Sequence, residues 1–159
     1  MEETLSDVIA FLSFLGAGLA ALYARWAWVE ARRANELSVH SNRMDIYRAL
    51  HNLRFAVQAN GVTIESKHVF PFYHPSREAR FYFSKVETSQ KLSEYFDVCF
   101  ELAECSRKLS RPNLPDTDIK KIYDKQDELS GREQSLFREA EKDVEEELYG
   151  AVKNRSRLI

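Results

Sequence analysis

The chain has 159 residues, with 23 lysines and arginines against 25 aspartates and glutamates, and 44% of it is apolar. That length suits one domain with a core, and the apolar fraction excludes both a wholly disordered chain and a polytopic membrane protein. A net charge of −2 with a pI near 6.1 removes any global electrostatic case for nucleic acid, and five Gly with four Pro leave little for a turn-rich all-β fold.

The mean hydropathy of −0.46 averages over very unequal segments. Residues 8–29 read VIAFLSFLGAGLAALYARWAWV, with Arg25 as the one formal charge. As a helix this stretch spans roughly 33 Å, against a bilayer hydrocarbon core of about 30 Å. Tyr23, Trp26 and Trp28 gather at its C-terminal end, where amphipathic rings favour the headgroup layer, and Arg25 is close enough to that end to snorkel outward. Acidic Glu2, Glu3 and Asp7 precede the stretch, and Arg32 and Arg33 follow it. A cleaved signal peptide wants the opposite arrangement. The expectation is therefore an uncleaved transmembrane anchor over residues 1–29 in the inner (plasma) membrane, N-terminus outside, with residues 30–159 cytoplasmic.

Within the anchor, Gly16-Ala17-Gly18-Leu19-Ala20-Ala21 imitates a dinucleotide fingerprint but lacks the flanking strand and acidic residue of a βαβ unit. The small residues Ser13, Gly16, Ala17, Ala20, Ala21 and Ala24 instead recur at helical spacing, as in stripes that let two membrane helices approach closely. Tyr23, Arg25, Trp26, Trp28, Arg32 and Arg33 are read as interface anchors, with membrane lipid as a partner.

The next segment is rich in helix formers and reads as a helix over about 30–59, with Ser41 able to cap its later part and Asn60-Gly61 to stop it. Ile46, Leu50, Leu53 and Val57 form one buried stripe. Residues 61–83 lose the helical period and hold Pro71, Pro75, His68 and His74. They read as a packed aromatic loop over the helices, with room for a short helical or extended piece around residues 76–83, and with Phe70, Phe72, Tyr73, Phe81, Tyr82 and Phe83 as candidate partner contacts. Ser84 and Glu87 have capping-box spacing for a helix over about 84–110, with Leu92, Tyr95, Phe96, Cys99, Leu102, Ala103 and Leu109 facing the core. A last helix over about 116–150 carries Ile119, Ile122, Tyr123, Leu129, Leu136, Phe137, Ala140, Val144 and Leu148 at its buried spacing. Ser130-Gly131 interrupts the run, but the apolar phase continues across it, which favours one helix.

Charge separates along the chain. Between Tyr23 and Gln58 six arginines face three acids, a local +3, and between Asp116 and Tyr149 twelve acids face six bases, a local −6. Opposite signs favour side-by-side packing of the first and last cytosolic helices. The distal arginines otherwise read as topology determinants.

No HExxH, CxxC, P-loop or nucleophile-elbow spacing is present. His68 and His74 with Glu65 or Glu78 are the only acid–base grouping to weigh, and loop histidines are more often solvated. Cys99 and Cys105 are six residues apart on one helix, too far around and along it to pair, which suits a reducing compartment. The expectation is a protein that is not an enzyme, with no catalytic residues, no metal, no cofactor and no nucleic-acid partner.

An anchor, then Arg43-Met44-Asp45-Ile46-Tyr47-Arg48-Ala49-Leu50, then Glu78-Ala79-Arg80-Phe81-Tyr82-Phe83 ahead of a capped helix, resembles a pattern in small bacterial membrane-anchored helical proteins. The resemblance covers about half the chain and implies no activity. The fold expected is all-α: one N-terminal transmembrane helix followed by a cytosolic antiparallel bundle of about three long helices. The function expected is an interaction module that self-associates as a homo-oligomer or tethers a partner, such as the product of an adjacent gene. A membrane-perturbing effector of toxin or antiviral-defence type is the alternative.

Overall fold

The computed structural model describes the backbone of residues 2–112 and 114–155 and the side chains of residues 11–61, 63–112 and 114–150. The fold is all-helical, with no strand among the described residues. In chain order come α1 (Glu2–Asn60), a 3-10 turn (Gly61–Thr63), α2 (Ser66–Val69), a second 3-10 turn (Phe70–Phe72), α3 (Tyr73–Tyr82), α4 (Val86–Leu109) and α5 (Asp116–Arg155). The chain divides into two compact units, Met1–Val39 and His40–Ile159.

The first unit is the N-terminal part of α1. It holds a stretch long and apolar enough to cross a membrane. Its large side chains are uncovered, with Phe14 75% and Leu19 68% exposed. The side chains of Glu2, Glu3 and Asp7, on which the expected N-out orientation draws, lie outside the described residues.

In the second unit the helical stripe of α1 is buried as its spacing requires: Ile46, Leu50, Leu53 and Val57 all enter the core. Ser41 does not start a helix, because no Gly or Pro precedes it to break one and α1 runs through. Asn60-Gly61 does stop α1. Gly61 takes a left-handed φ of 53°, which a residue without Cβ adopts without strain, and Thr63 Oγ1 donates to the Asn60 carbonyl at 2.7 Å.

Residues 61–83 depart from the expected loop. The segment is mostly helical, and α3 stands where a short helical or extended piece is expected. Ile64 is buried ahead of α2, and from Val69 onward the buried residues Val69, Phe72, Ser76, Ala79 and Phe83 fall at spacings of three and four. The prolines are compatible with this, since Pro71 and Pro75 stand in first turns, where the missing N–H would have no intrahelical partner.

The start of α4 also differs. The capping box at Ser84 is not formed: Lys85 occupies the cap position and makes no side-chain cap bond. Glu147 of α5 does that work from 62 residues away. Its carboxylate accepts from the Ser84 N–H at 2.7 Å, the Lys85 N–H at 3.2 Å and Thr88 Oγ1 at 3.1 Å. A carboxylate at a helix N-terminus satisfies orphan donors and favours the positive end of the dipole.

α5 is unbroken through Ser130-Gly131. Ion pairs tie it to α4 in opposite order, Lys85–Glu146, Lys91–Asp143, Glu94–Arg132 and Glu101–Lys125, so numbers rise along one helix as they fall along the other. α1 meets α5 in the same sense. Arg43 lies 3.9 Å from Glu147, Tyr47 donates to Glu145 at 2.9 Å, His51 lies 3.3 Å from Glu141, and Arg54 pairs with Glu133. The basic and acidic helices thus pack side by side, and Arg43 and Arg54 serve this contact rather than topology alone. Tyr123, expected inside, is 51% exposed. α1 meets Glu133 through Arg54 and ends six residues later at Asn60, whereas Tyr123 lies ten residues beyond Glu133 on α5, past the reach of α1.

Candidate contact surfaces and a buried polar cluster

The first unit presents its small stripe to the outside. Ser13, Gly16, Ala17, Ala20, Ala21 and Ala24 are all exposed, and a Cβ at Gly16 or Gly18 would meet nothing within 4 Å. Tyr23, Arg25, Trp26, Trp28, Arg32 and Arg33 are exposed as well. The charges of this region are unequal in their surroundings. Arg33 donates to Glu30 at 2.8 Å and Arg32 to Glu36 at 3.2 Å, one helical turn away in each case. Arg32 also lies over the Trp28 ring, 5.8 Å from its centroid. Arg25 has no ion pair among the described residues.

The six aromatic candidates divide. Phe72 and Phe83 are core residues, 1% and 6% exposed, and this corrects their reading as partner contacts: the helical turns of residues 66–82 point them inward. Tyr82 is half-buried against the core. Phe70, Tyr73 and Phe81 remain exposed. Phe70 and Tyr73 belong to a chain of rings in which Phe70 meets Phe100 at 5.6 Å, Phe100 meets Phe96 at 6.0 Å and Phe96 meets Tyr73 at 5.4 Å. Such pairs hold the second 3-10 turn, α3 and α4 together beyond simple area burial.

The most buried charged residue among those described is Glu133, 2% exposed. Arg54 of α1 donates to one carboxylate oxygen and Tyr95 Oη of α4 to the other, the latter at 2.7 Å. Arg54 also lies over the Phe137 ring at 5.0 Å. Burial disfavours the Arg54 charge, but the hydrogen bond and charge of Glu133 outweigh it and hold the guanidinium protonated more firmly than usual. Burial, with the Glu133 charge second, pushes the Cys99 thiol up, and burial likewise raises the Tyr95 phenol. A thiol so raised is a poor nucleophile. This cluster ties three helices together, and the periodicity contained a sign of it. Glu133 stands on the buried phase between Leu129 and Phe137, a place where an acid needs partners.

The histidines do not assemble. His51 is wedged between Tyr47 at 4.4 Å and Phe137 at 5.5 Å, with Nε2 near Glu141 but out of line for a hydrogen bond. His74 stacks edge-on with Tyr73, and Glu65 is held by Lys67 at 3.0 Å. No group of three or more His, Cys, Asp or Glu side chains that could hold a metal exists among the described residues. Open grooves lie among the described residues. One of about 370 Å³ lies between α3 and α4 at Arg77, Arg80, Ser93 and Asp97, and one of about 360 Å³ lies between Ser66-Lys67 and the end of α4. No protein family matches the chain, nor does any curated protein or solved structure.

Proposed function

We propose that this protein is a single-pass, membrane-anchored interaction module. In this reading the first unit spans the inner membrane with its N-terminus outside, and the second forms a cytoplasmic antiparallel bundle of three long helices that self-associates or holds a protein partner. The observation that carries the reading is the contrast within α1. Residues 11–28 keep all their large apolar side chains uncovered, whereas in residues 46–57 Ile46, Leu50, Leu53 and Val57 are buried in a core built by the same chain and Phe55 alone of the large apolar residues stays exposed. An uncovered apolar helix surface of that extent requires lipid or another helix to cover it. Alkaline carbonate extraction of native membranes followed by crosslinking of the full chain tests it. A chain that stays with the membrane and crosslinks to itself or to a defined partner is expected. A chain released by carbonate, or one that stays monomeric without partner, sinks it.

A membrane-perturbing effector is the second reading, favoured by Arg25, a charge inside the apolar stretch without an ion pair among the described residues. Expression with a potential-sensitive dye separates the two. Depolarisation that disappears with Gly16→Leu plus Ala20→Leu supports the effector, and an undisturbed potential at every expression level removes it.

A further inference from the structure

Arg25, Trp28 and Arg32 fall within about 60° of one another around α1, at 100° per residue. Their guanidinium groups and indole therefore share one face of the first unit, next to the edge formed by Ser13, Ala17 and Ala21. Arg33 stands about 80° around the axis from Arg25, turned away from Trp28, and is neutralised by Glu30, about 140° from Arg25. Arg32 is shared between Glu36 and the face of Trp28, through exposed contacts that water screens. Arg25 alone keeps all its donors free of any ion pair among the described residues. The face carrying Arg25, Trp28, Arg32 and Glu36 thus has a surplus of one positive charge, on a planar donor suited to bidentate oxyanion binding.

We propose that this face binds the phosphate of an anionic phospholipid headgroup, with Arg25 as the principal donor, Arg32 as the second, and the Trp28 ring packed beside the glycerol region. The proposal rests on the membrane-spanning reading above. Depth decides between a lipid phosphate and a carboxylate on a partner helix. Arg25 lies about 6 Å along the helix from the end of the apolar run at Val29, a distance its own side chain covers by snorkelling. A carboxylate partner is needed by a charge held near the bilayer centre, whereas Arg25 reaches the layer where phosphates reside and where Trp side chains prefer to lie.

The test uses the full chain reconstituted into vesicles of phosphatidylcholine with a minor fraction of phosphatidylglycerol. Retained lipids are identified by native mass spectrometry after gentle detergent release. Wild type is expected to retain phosphatidylglycerol over phosphatidylcholine beyond the bulk ratio. Arg25→Gln is expected to lower that enrichment about fivefold, the factor equivalent to ~1 kcal/mol for one basic residue at an anionic surface. Lys121→Gln, an exposed position on α5 of the second unit, should leave the enrichment intact. Equal losses in the two variants, or none in Arg25→Gln, overturn the site. Displacement of the lipid by excess inorganic phosphate reassigns the face to a free anion and overturns the lipid assignment. Loss of a crosslinked protein in Arg25→Gln with unchanged lipid retention assigns Arg25 to a protein carboxylate. Carbonate extraction run in parallel separates the two layers of argument: a chain stripped from the vesicles refutes the span and the site together. A chain that stays but shows no lipid preference refutes the site alone.

Discussion

Two parts of one helix obey opposite rules. In residues 11–28 of α1 the apolar side chains surround the axis and none finds cover within the chain, whereas in residues 43–57 one apolar stripe is buried and the opposite face, Phe55 included, stays exposed. The later part buries Ile46, Leu50, Leu53 and Val57 and turns Arg43, Tyr47, His51 and Arg54 toward α5 carboxylates. The difference teaches that the period of hydrophobicity, more than its amount, marks where a helix has its partner in the same chain. Where the period is lost to uniform apolarity, the partner must come from outside it.

The contrast breaks most readily at the buried polar cluster. Arg54→Leu leaves Glu133 uncompensated in the core and should cost about 3–5 kcal/mol, read as a lower unfolding midpoint of the full chain in detergent. Arg54→Met combined with Glu133→Leu should recover most of that loss, since both charges are then gone. If the single and double variants unfold alike, the cluster does not hold the three helices together. Leu50→Ala, which opens a cavity at a fully buried position, should cost about 2–5 kcal/mol in the same measurement.

Alkaline pH sharpens the picture of the α1–α5 contact. Burial, followed by the hydrogen bond to Glu145, pushes the Tyr47 phenol from its ordinary 10.0 up to about 12. A phenol raised on folding contributes stability that is complete below pH 10.0 and is lost as pH climbs toward 12. Wild type should therefore weaken through that window, and Tyr47→Phe should flatten the decline there. An unchanged slope in the variant counts against the Tyr47–Glu145 bond. Gly131 is a smaller lever. It is helical with open space where a Cβ would stand, so Gly131→Ala should stabilise by about 0.5–1 kcal/mol. Destabilisation would mean that α5 bends or contacts a partner at that point. The smallest effect on unfolding belongs to Gly16→Leu plus Ala20→Leu, which should leave the midpoint of the second unit where it is while reducing crosslinked oligomer in membranes. A shifted midpoint would show that the two parts of α1 are not separable in this sense.

The apolar stripe of α1 and the breadth of the α4 core face were readable from spacing, as was the continuity of α5, because each depends on period alone. The helical turns of residues 66–75 were not, and around residues 76–83 a helical piece and an extended one were equally open. Two prolines and six aromatic residues hide a spacing of three and four that becomes visible only once Val69, Phe72, Ser76, Ala79 and Phe83 are seen to be buried. The same holds for the aromatic contact candidates, which share a composition but differ in direction.

By itself the sequence determined that the chain is helical, that one stretch is long and apolar enough to cross a bilayer, and that opposite charges collect on its first and last helices. Those properties are local, set by propensity and period within a few turns. Tertiary structure alone decided what the individual charges do: that Glu147 caps α4 in place of Ser84, and that Glu133 joins Arg54 to Tyr95. A charge's energy depends on which groups lie within a few ångströms of it and how much water is left there. Residues 62 or 79 positions apart can be brought that close only by the packing of whole helices.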